Sequence, residues 1–169
     1  MMQLHAATFG TPCGPFSVAV KASGAVVAAA FGELPALRAR LPQKSPFSGD
    51  PLGLTHQVQL EMKEYFTGNR QEFTVALAAQ GSAFQHRVWA ELASITFGQT
   101  RSYGQVAAAL GQPGAAQAVG RAVGTNPLAL LVPCHRVIGA NGALGGFAFG
   151  VAIKQQLLRL EGGSPVTLG

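Results

Sequence analysis

Residues 102–123 read SYGQVAAALGQPGAAQAVGRAV, and how this stretch folds decides what the rest of the chain can be. Ser102 is a helix-opening residue, and the small and apolar side chains after it carry a helix to Leu110. Gly111-Gln112-Pro113-Gly114 then breaks the helix sharply, and a second short helix runs from Ala115 to Val123. Two short helices across a tight glycine-containing turn form the outline of a helix-turn-helix. The outline alone leaves DNA binding open, because many helical hairpins bind nothing.

The flanks extend this pattern in one direction only. Ser82 caps a segment with Phe84, Val88, Leu92 and Ile95 at helical spacing and Trp89 beside them. A last helix runs from about Val151 to Leu160, stopped by Gly162-Gly163. Before residue 80 the pattern alternates as strands do. Phe16–Val20 and Ala25–Phe31 flank Ser23-Gly24, which reads as a hairpin. Pro42 to Gly53 reads as loop, Thr55 caps a helix bearing Val58, Met62, Tyr65 and Phe66 and ended by Gly68, and Phe73–Leu77 is a third strand candidate. The expectation is an α+β chain with a small N-terminal α+β domain over residues 1–79 and a mainly helical domain over residues 80–169.

Composition narrows the class. Nearly half the residues are apolar, enough for a buried core. No apolar run approaches the ~20 residues of a membrane-spanning helix. Met1-Met2-Gln3-Leu4-His5 lacks the basic start and long apolar stretch of a secretory signal, so a cytoplasmic protein that keeps off membranes is expected. Cys13 and Cys134 are the only cysteines, which favours a reducing compartment over a disulfide scaffold. Neither lies in a close Cys/His cluster, so no metal is expected. Cys13, between Pro12 and Gly14, reads as a small residue at a turn. The net charge of +5 is uneven: residues 1–84 hold six basic and five acidic side chains, residues 85–169 six basic and two acidic. A basic second half suits a polyanionic partner, and it equally suits a basic surface with none.

The chemistry concentrates in Asn126-Pro127-Leu128-Ala129-Leu130-Leu131-Val132-Pro133-Cys134-His135-Arg136-Val137. An apolar run ends at a proline that fixes the backbone, and a cysteine follows with histidine and arginine directly after it. A thiol attacks as thiolate and needs a base or nearby positive charge. His135 and Arg136 supply both kinds of group, although adjacent side chains need not face each other, so a water has to bridge Cys134 and His135 where they do not. The competing readings are an inert core cysteine and a structural histidine.

Pro133-Cys134-His135-Arg136-Val137 resembles the signature of the O6-alkylguanine-DNA alkyltransferases, the methylated-DNA–protein-cysteine methyltransferases. The resemblance covers nearly the whole chain. It includes Gln59-Leu60, Tyr65-Phe66, Gly68, Arg70 and Phe73 upstream, then Phe84, Val88 and Trp89. Tyr103-Gly104-Gln105-Val106-Ala107 is similar to the first helix of the family's helix-turn-helix, and Ala115-Ala116-Gln117-Ala118-Val119-Gly120 lies where its recognition helix belongs. Gly145-Gly146-Phe147 and Ile153–Leu158 are similar to the closing loop and last helix.

The resemblance implies a ribonuclease H-like N-terminal domain, a winged-helix-like C-terminal domain, and single-turnover repair with no cofactor by a monomer acting on double-stranded DNA that contains O6-alkylguanine, with O4-alkylthymine as a second substrate. It implies roles residue by residue. Cys134 is the nucleophile and permanent alkyl acceptor, His135 removes its proton through a water, and Glu161 orients and charge-balances His135. A carboxylate in the last turn of a helix opposes the macrodipole, which suits a compensating partner for Glu161, and an ordinary solvated glutamate is the competing reading. Tyr103 donates its hydroxyl to the flipped base, the Ala148 N–H faces O6, and the Cys134 and Val137 carbonyls accept from the exocyclic amine. Asn126 ties the helix-turn-helix to the reactive loop. Arg136 falls with the residues on the DNA and substrate side. Small residues at Ala115, Ala118, Gly120 and Ala122 let the second helix approach the minor groove, and they equally permit tight helix packing.

Three positions depart from the family pattern. Gln117 stands where an arginine usually replaces the extruded base in the stack; it can fill that space but carries no charge. Arg121, one turn on, is expected to restore some phosphate affinity. Phe147 replaces a common tyrosine, keeping the aromatic wall without its hydroxyl, and Phe149 narrows the entrance against large alkyl groups. Three rival activities carry their own discriminators: a non-catalytic lesion binder lacks the acceptor cysteine, a Cys-His-Glu hydrolase turns over repeatedly, and a helix-turn-helix regulator survives Cys134→Ala.

Overall fold

The computed structural model describes residues 3–41 and 45–162, which form two compact units. Met1-Met2, residues 42–44 of the Pro42–Gly53 loop and Gly163 of the terminating glycine pair lie outside the described residues. One unit runs to Gln80 and also takes in Pro127–Leu131; the other holds Gly81–Asn126 and the chain from Val132 onward. The first unit thus ends at Gln80 apart from the later return at Pro127–Leu131.

The first unit is built on a four-stranded sheet of order β3-β2-β1-β4, with β1 at Leu4–Thr11, β2 at Gly14–Val20, β3 at Val26–Phe31 and β4 at Phe47–Ser48. Helices α1 (Leu34–Arg38) and α2 (His56–Phe66) complete it. The Ser23-Gly24 hairpin is present: β2 and β3 pair antiparallel, and Gly24 takes φ +89° while its N–H reaches the Lys21 carbonyl at 2.8 Å. β1, which the sequence reading did not anticipate, pairs antiparallel with β2 through a turn at Pro12-Cys13. Its residues are mostly half-buried and lack the clean alternation that marks a strand with one wet face.

Strand β3, Val-Val-Ala-Ala-Ala-Phe, is buried at every position. That requires cover beyond β2, and the outer edge has it. Val26 exchanges hydrogen bonds with the Ala76–Ala78 backbone, and Ala29 with Pro127 and Ala129, at 2.8–3.0 Å. The excursion 127–131 thus serves as an edge piece that satisfies β3. It turns back at Leu130, a buried non-glycine residue with φ +69°, where the Leu131 N–H reaches the Ala129 carbonyl at 2.8 Å.

Local expectations fail here for identifiable reasons. Phe73–Leu77 is not a strand beyond one bridge, Val26 to Leu77. The buried Glu61 carboxylate on α2 takes the Thr74 N–H at 2.7 Å and the Val75 N–H at 3.4 Å, which removes both from any ladder. Thr55 precedes α2, but its hydroxyl makes no cap. It donates instead to Asp50, whose carboxylate also takes the Leu54 and Thr55 N–H groups and so organises the turn itself. Short α1 and β4 were not anticipated either; β4 lies inside the expected loop, parallel to β1.

The second unit is mainly helical: α3 (Ala83–Ala93), α4 (Tyr103–Ala109), α5 (Ala116–Gly124) and α6 (Val151–Leu160), with a two-stranded parallel pair of β5 (Arg101–Ser102) and β6 (Val137–Ile138). Ser82 and Ser102 each form a capping box, with Gln85 and Gln105 three residues on. Gly111, at φ +76°, ends the first helix of the expected helix-turn-helix, whose bounds match the reading to within a residue. Trp89 of α3 is buried and donates to the Ala122 carbonyl of α5 at 2.8 Å, fixing α5 by its back. The whole is the α+β class expected, a mixed unit and a helical one. Among the described residues no helix is long and apolar enough to cross a membrane.

Candidate active site

Cys134 is placed by its own backbone. Pro133 sits at φ −79°, ψ 66°, and the Cys134 N–H reaches the Val132 carbonyl at 2.7 Å, an inverse γ-turn that suits proline's fixed φ. Cys134–Arg136 is then a single 3-10 turn leading straight into β6. Asn126, just past the end of α5, is buried and donates its side-chain N–H to the Val132 carbonyl at 3.0 Å, so the helix-turn-helix is tied to the approach to Cys134. The cysteine itself is only 5% exposed.

His135, on the same turn, is wholly buried, and its Nε2 lies 2.7 Å from Glu161 Oε2. Burial pushes its pKa below the ordinary 6.5, outweighing the opposing pull of Glu161, and the Arg136 and Lys154 charges add to the lowering. The imidazole is therefore neutral at pH 7. A carboxylate only accepts, so the single ring proton belongs on Nε2, and Nδ1 carries a lone pair. Nδ1 is buried with no hydrogen-bond partner among the described residues. A basic nitrogen on the turn that bears the thiol can receive a proton.

Glu161 caps the C-terminus of α6 and is buried with a partner rather than solvated: Arg136 donates from Nε to Oε1 at 2.8 Å and from Nη2 to Oε2 at 3.0 Å. The third guanidinium nitrogen, Nη1, donates to the Ile95 carbonyl at 2.6 Å. This corrects the expectation for Arg136. A buried guanidinium with all three nitrogens engaged inside the protein faces neither solvent nor DNA.

Two further groups respond to charge at Cys134. Tyr103, the first residue of α4, has its phenol pKa raised by burial and by the Cys134 charge, so it keeps its proton at neutral pH. Lys154 of α6 is buried, donates to the Val137 carbonyl at 2.6 Å and the Gly146 carbonyl at 2.9 Å, and has its pKa lowered by burial to about 8, with the Cys134 charge pulling the other way. Sequence reasoning gave Lys154 no role. The signal was available: Lys154, Leu157, Leu158 and Glu161 follow the i, i+3, i+4, i+7 spacing of a buried stripe, and two of the four are charged. Lys154 also occupies a lone pair of the Val137 carbonyl expected to face the base. Gly145 lies among these groups at φ +75°; a Cβ there would come within 3.5 Å of Lys154 Nζ and 3.6 Å of the Tyr103 ring. The following loop carries Phe147 and Phe149, whose rings meet edge to face at 5.5 Å, with Ala148 exposed between them.

On α5 the buried residues are Val119, Ala122 and Val123, while Gln117 and Arg121, one turn apart, are exposed, with Ala115 and Ala118 half-buried beside them. Gly120 lies against the Tyr103 ring. Among the described residues no group of three or more His, Cys, Asp or Glu stands together as a metal site.

A family model described as the 6-O-methylguanine DNA methyltransferase DNA-binding domain matches residues 83–163. The Mycobacterium bovis methylated-DNA–protein-cysteine methyltransferase is 42% identical over 159 residues, covering 94% of this chain and 92% of that protein. The Salmonella typhimurium protein of the same name is 52% identical over 103 residues, 60% of each chain. Among solved structures, Mycobacterium tuberculosis OGT in complex with DNA has a TM-score of 0.83 at 39% identity, covering 94% of this chain and 92% of that one. Kinship at this level along nearly the full length, with Cys134, His135 and Glu161 assembled as described, means that the chain belongs to the methylated-DNA–protein-cysteine methyltransferase family.

Proposed function

We propose that this protein repairs DNA by moving the alkyl group of O6-alkylguanine onto Cys134 Sγ, once per molecule. The observation that carries the reading is the neutral, buried His135, with its proton directed to Glu161 and its Nδ1 lone pair unclaimed on the turn that bears the thiol. Nδ1 takes the thiol proton through a water. The thiolate attacks the alkyl carbon, an S–C bond forms as the C–O6 bond breaks, and the electron pair left on O6 takes the Tyr103 hydroxyl proton, which His135 restores. The lowered His135 pKa and raised Tyr103 pKa support this, since each group then holds the protonation state that the step consumes. A thioether does not hydrolyse in water, so the acceptor is spent.

Cys134 is nearly buried and O6 lies within the base stack, which together favour a nucleotide turned out of the duplex toward the cysteine. The exposed Gln117–Arg121 edge of α5, with Ala115 and Ala118 beside it, suits close approach to a minor groove.

The test is intact-mass analysis after incubation with a duplex carrying one O6-methylguanine. A single methylene equivalent mapped to Cys134 is expected. An unmodified protein, or repeated turnover, overturns the assignment. The same assay with O4-methylthymine tests the second substrate. With O6-benzylguanine it tests the Phe147–Phe149 wall, where slow reaction is expected.

A further inference from the structure

The buried arginine has no part in the transfer described so far, yet all three of its guanidinium nitrogens are engaged beside it. We propose that Arg136 is a positioning residue of the transfer step: its guanidinium holds Glu161 in the one orientation that keeps the His135 proton on Nε2 and leaves Nδ1 to act as base. The proposal rests on the reading of Cys134 and His135 given above.

Geometry carries it. Nε and Nη2 grip the two oxygens of Glu161 separately, at 2.8 and 3.0 Å, and the Oε2 held by Nη2 is the oxygen that receives His135 Nε2. The carboxylate cannot rotate toward or away from the imidazole without breaking the fork. Nη1 anchors the guanidinium to the Ile95 carbonyl at 2.6 Å, and its central carbon lies 5.9 Å from the Phe97 ring centroid, so the fork is itself fixed from the far side. A lysine, with one compact ammonium, cannot bridge both oxygens and the carbonyl together.

The charges acting on His135 are Glu161 and Lys154 from α6 and Arg136 from its own turn, which also carries Cys134. Arg136 balances Glu161 and opposes protonation of the ring. Without it, a buried carboxylate–imidazole pair carries an uncompensated negative charge and takes up a proton at higher pH.

The experiment is the single-turnover rate of methyl transfer from a methylated duplex between pH 5 and 8, with the folded fraction followed by burst amplitude. His135→Asn separates the two layers. It is expected to lose both the acid-side decline of the wild type and most of the rate; if it keeps both, the base reading itself fails and Arg136 has nothing to position. With that decline assigned to His135, Arg136→Met should move it upward by about half a pH unit or more. An arginine that only holds the fold together would lower the amplitude and leave the decline where it was, which overturns the proposal. Arg136→Lys keeps the charge without the fork, so the decline should stay in place while the plateau rate falls about tenfold. A wild-type plateau in that variant also overturns it, and it decides the matter alone if Arg136→Met does not fold.

Discussion

Among the described residues each unit buries one glutamate, and the two are used in opposite ways. In the first unit, Glu61 accepts from the Thr74 N–H at 2.7 Å, the Thr74 hydroxyl at 2.6 Å and the Gln57 amide at 2.7 Å, while Arg70 stands 3.9 Å away. Burial would raise its pKa, but Thr74, Gln57 and Arg70 outweigh burial and hold it below the usual carboxylate range. Its principal donors are neutral, so nothing exchanges a proton with it. In the second unit, Glu161 meets a guanidinium and an imidazole, and the imidazole can change charge. Ringed by neutral donors, a buried carboxylate is a pin. Shared between a fixed cation and a titratable ring, it becomes part of a proton path. Burial alone does not separate the two; the partners do.

Glu161→Gln and Glu61→Gln are the direct contrast, and the first should give the largest effect. An amide at 161 cannot satisfy both Arg136 and His135, so the transfer rate should fall by about 10²-fold or more in the molecules that remain folded. Glu61→Gln should cost about 2 kcal/mol of stability, because an amide N–H then faces the Thr74 donors, and should leave the rate constant unchanged. Urea unfolding paired with single-turnover kinetics reads both quantities. A slowed Glu61→Gln, or a full-speed Glu161→Gln, would erase the distinction.

Lys154 sharpens it from the basic side. Its ammonium is present below about pH 8 and is lost above, so the transfer rate should decline as pH rises past that point. Lys154→Met should remove the alkaline decline and slow transfer about tenfold at pH 7, through loss of the positive charge near the sulfur and of the tether between the Val137 and Gly146 carbonyls. An alkaline decline that survives the substitution would assign it elsewhere.

How much of this was legible in the chain follows from the range of the forces involved. The helices of the second unit were readable because their signals are local: Ser82 and Ser102 each cap within three residues, and Gly111 breaks within one. The reactive turn was readable because proline, cysteine, histidine and arginine are contiguous. Where a long-range partner overrode a local preference, the reading failed. Phe73–Leu77 has strand composition, but a carboxylate some thirteen residues away takes its N–H groups. Thr55 has cap chemistry, but Asp50, only five residues back, claims its hydroxyl, so that failure is one of competing local signals. The resemblance puts Arg136 on the DNA and substrate side; only the fold brings Glu161 and Ile95 to it. Lys154 was missed through neglect of a local signal, a lysine on a buried stripe.

The acid side separates the units again, more weakly. His135 has a folded pKa below 6.5, so in the window just under 6.5 the unfolded chain binds a proton that the native state refuses. Stability contributed by this residue is present above 6.5 and falls on acidification. His135→Asn should flatten the loss of urea stability between pH 7 and 5, and an unchanged slope would mean that the ring is not held neutral in the fold.

The smallest effect belongs to Thr74→Val in the first unit. Valine keeps the shape and the backbone N–H but removes the hydroxyl that donates to Glu61 at 2.6 Å. The expected cost at pH 7 is about 1 kcal/mol. Glu61 has a depressed folded pKa, so its contribution is complete above the ordinary value of 4.5 and is lost as pH falls through the folded value. Removing one donor makes that depression shallower, so the gap between the variant and the wild type should hold constant down to about pH 4.5 and close in urea stability only as the pH is lowered below it toward 3. A gap that stays constant below about pH 4.5 as well would mean that the hydroxyl stabilises the loop without acting through the charge of Glu61. Transfer by the folded variant should match the wild type within about twofold, since ordinary surface and loop changes alter the site little. A larger loss would carry the influence of Glu61 into the chemistry of the second unit, and the division between a carboxylate that pins and one that relays would no longer hold.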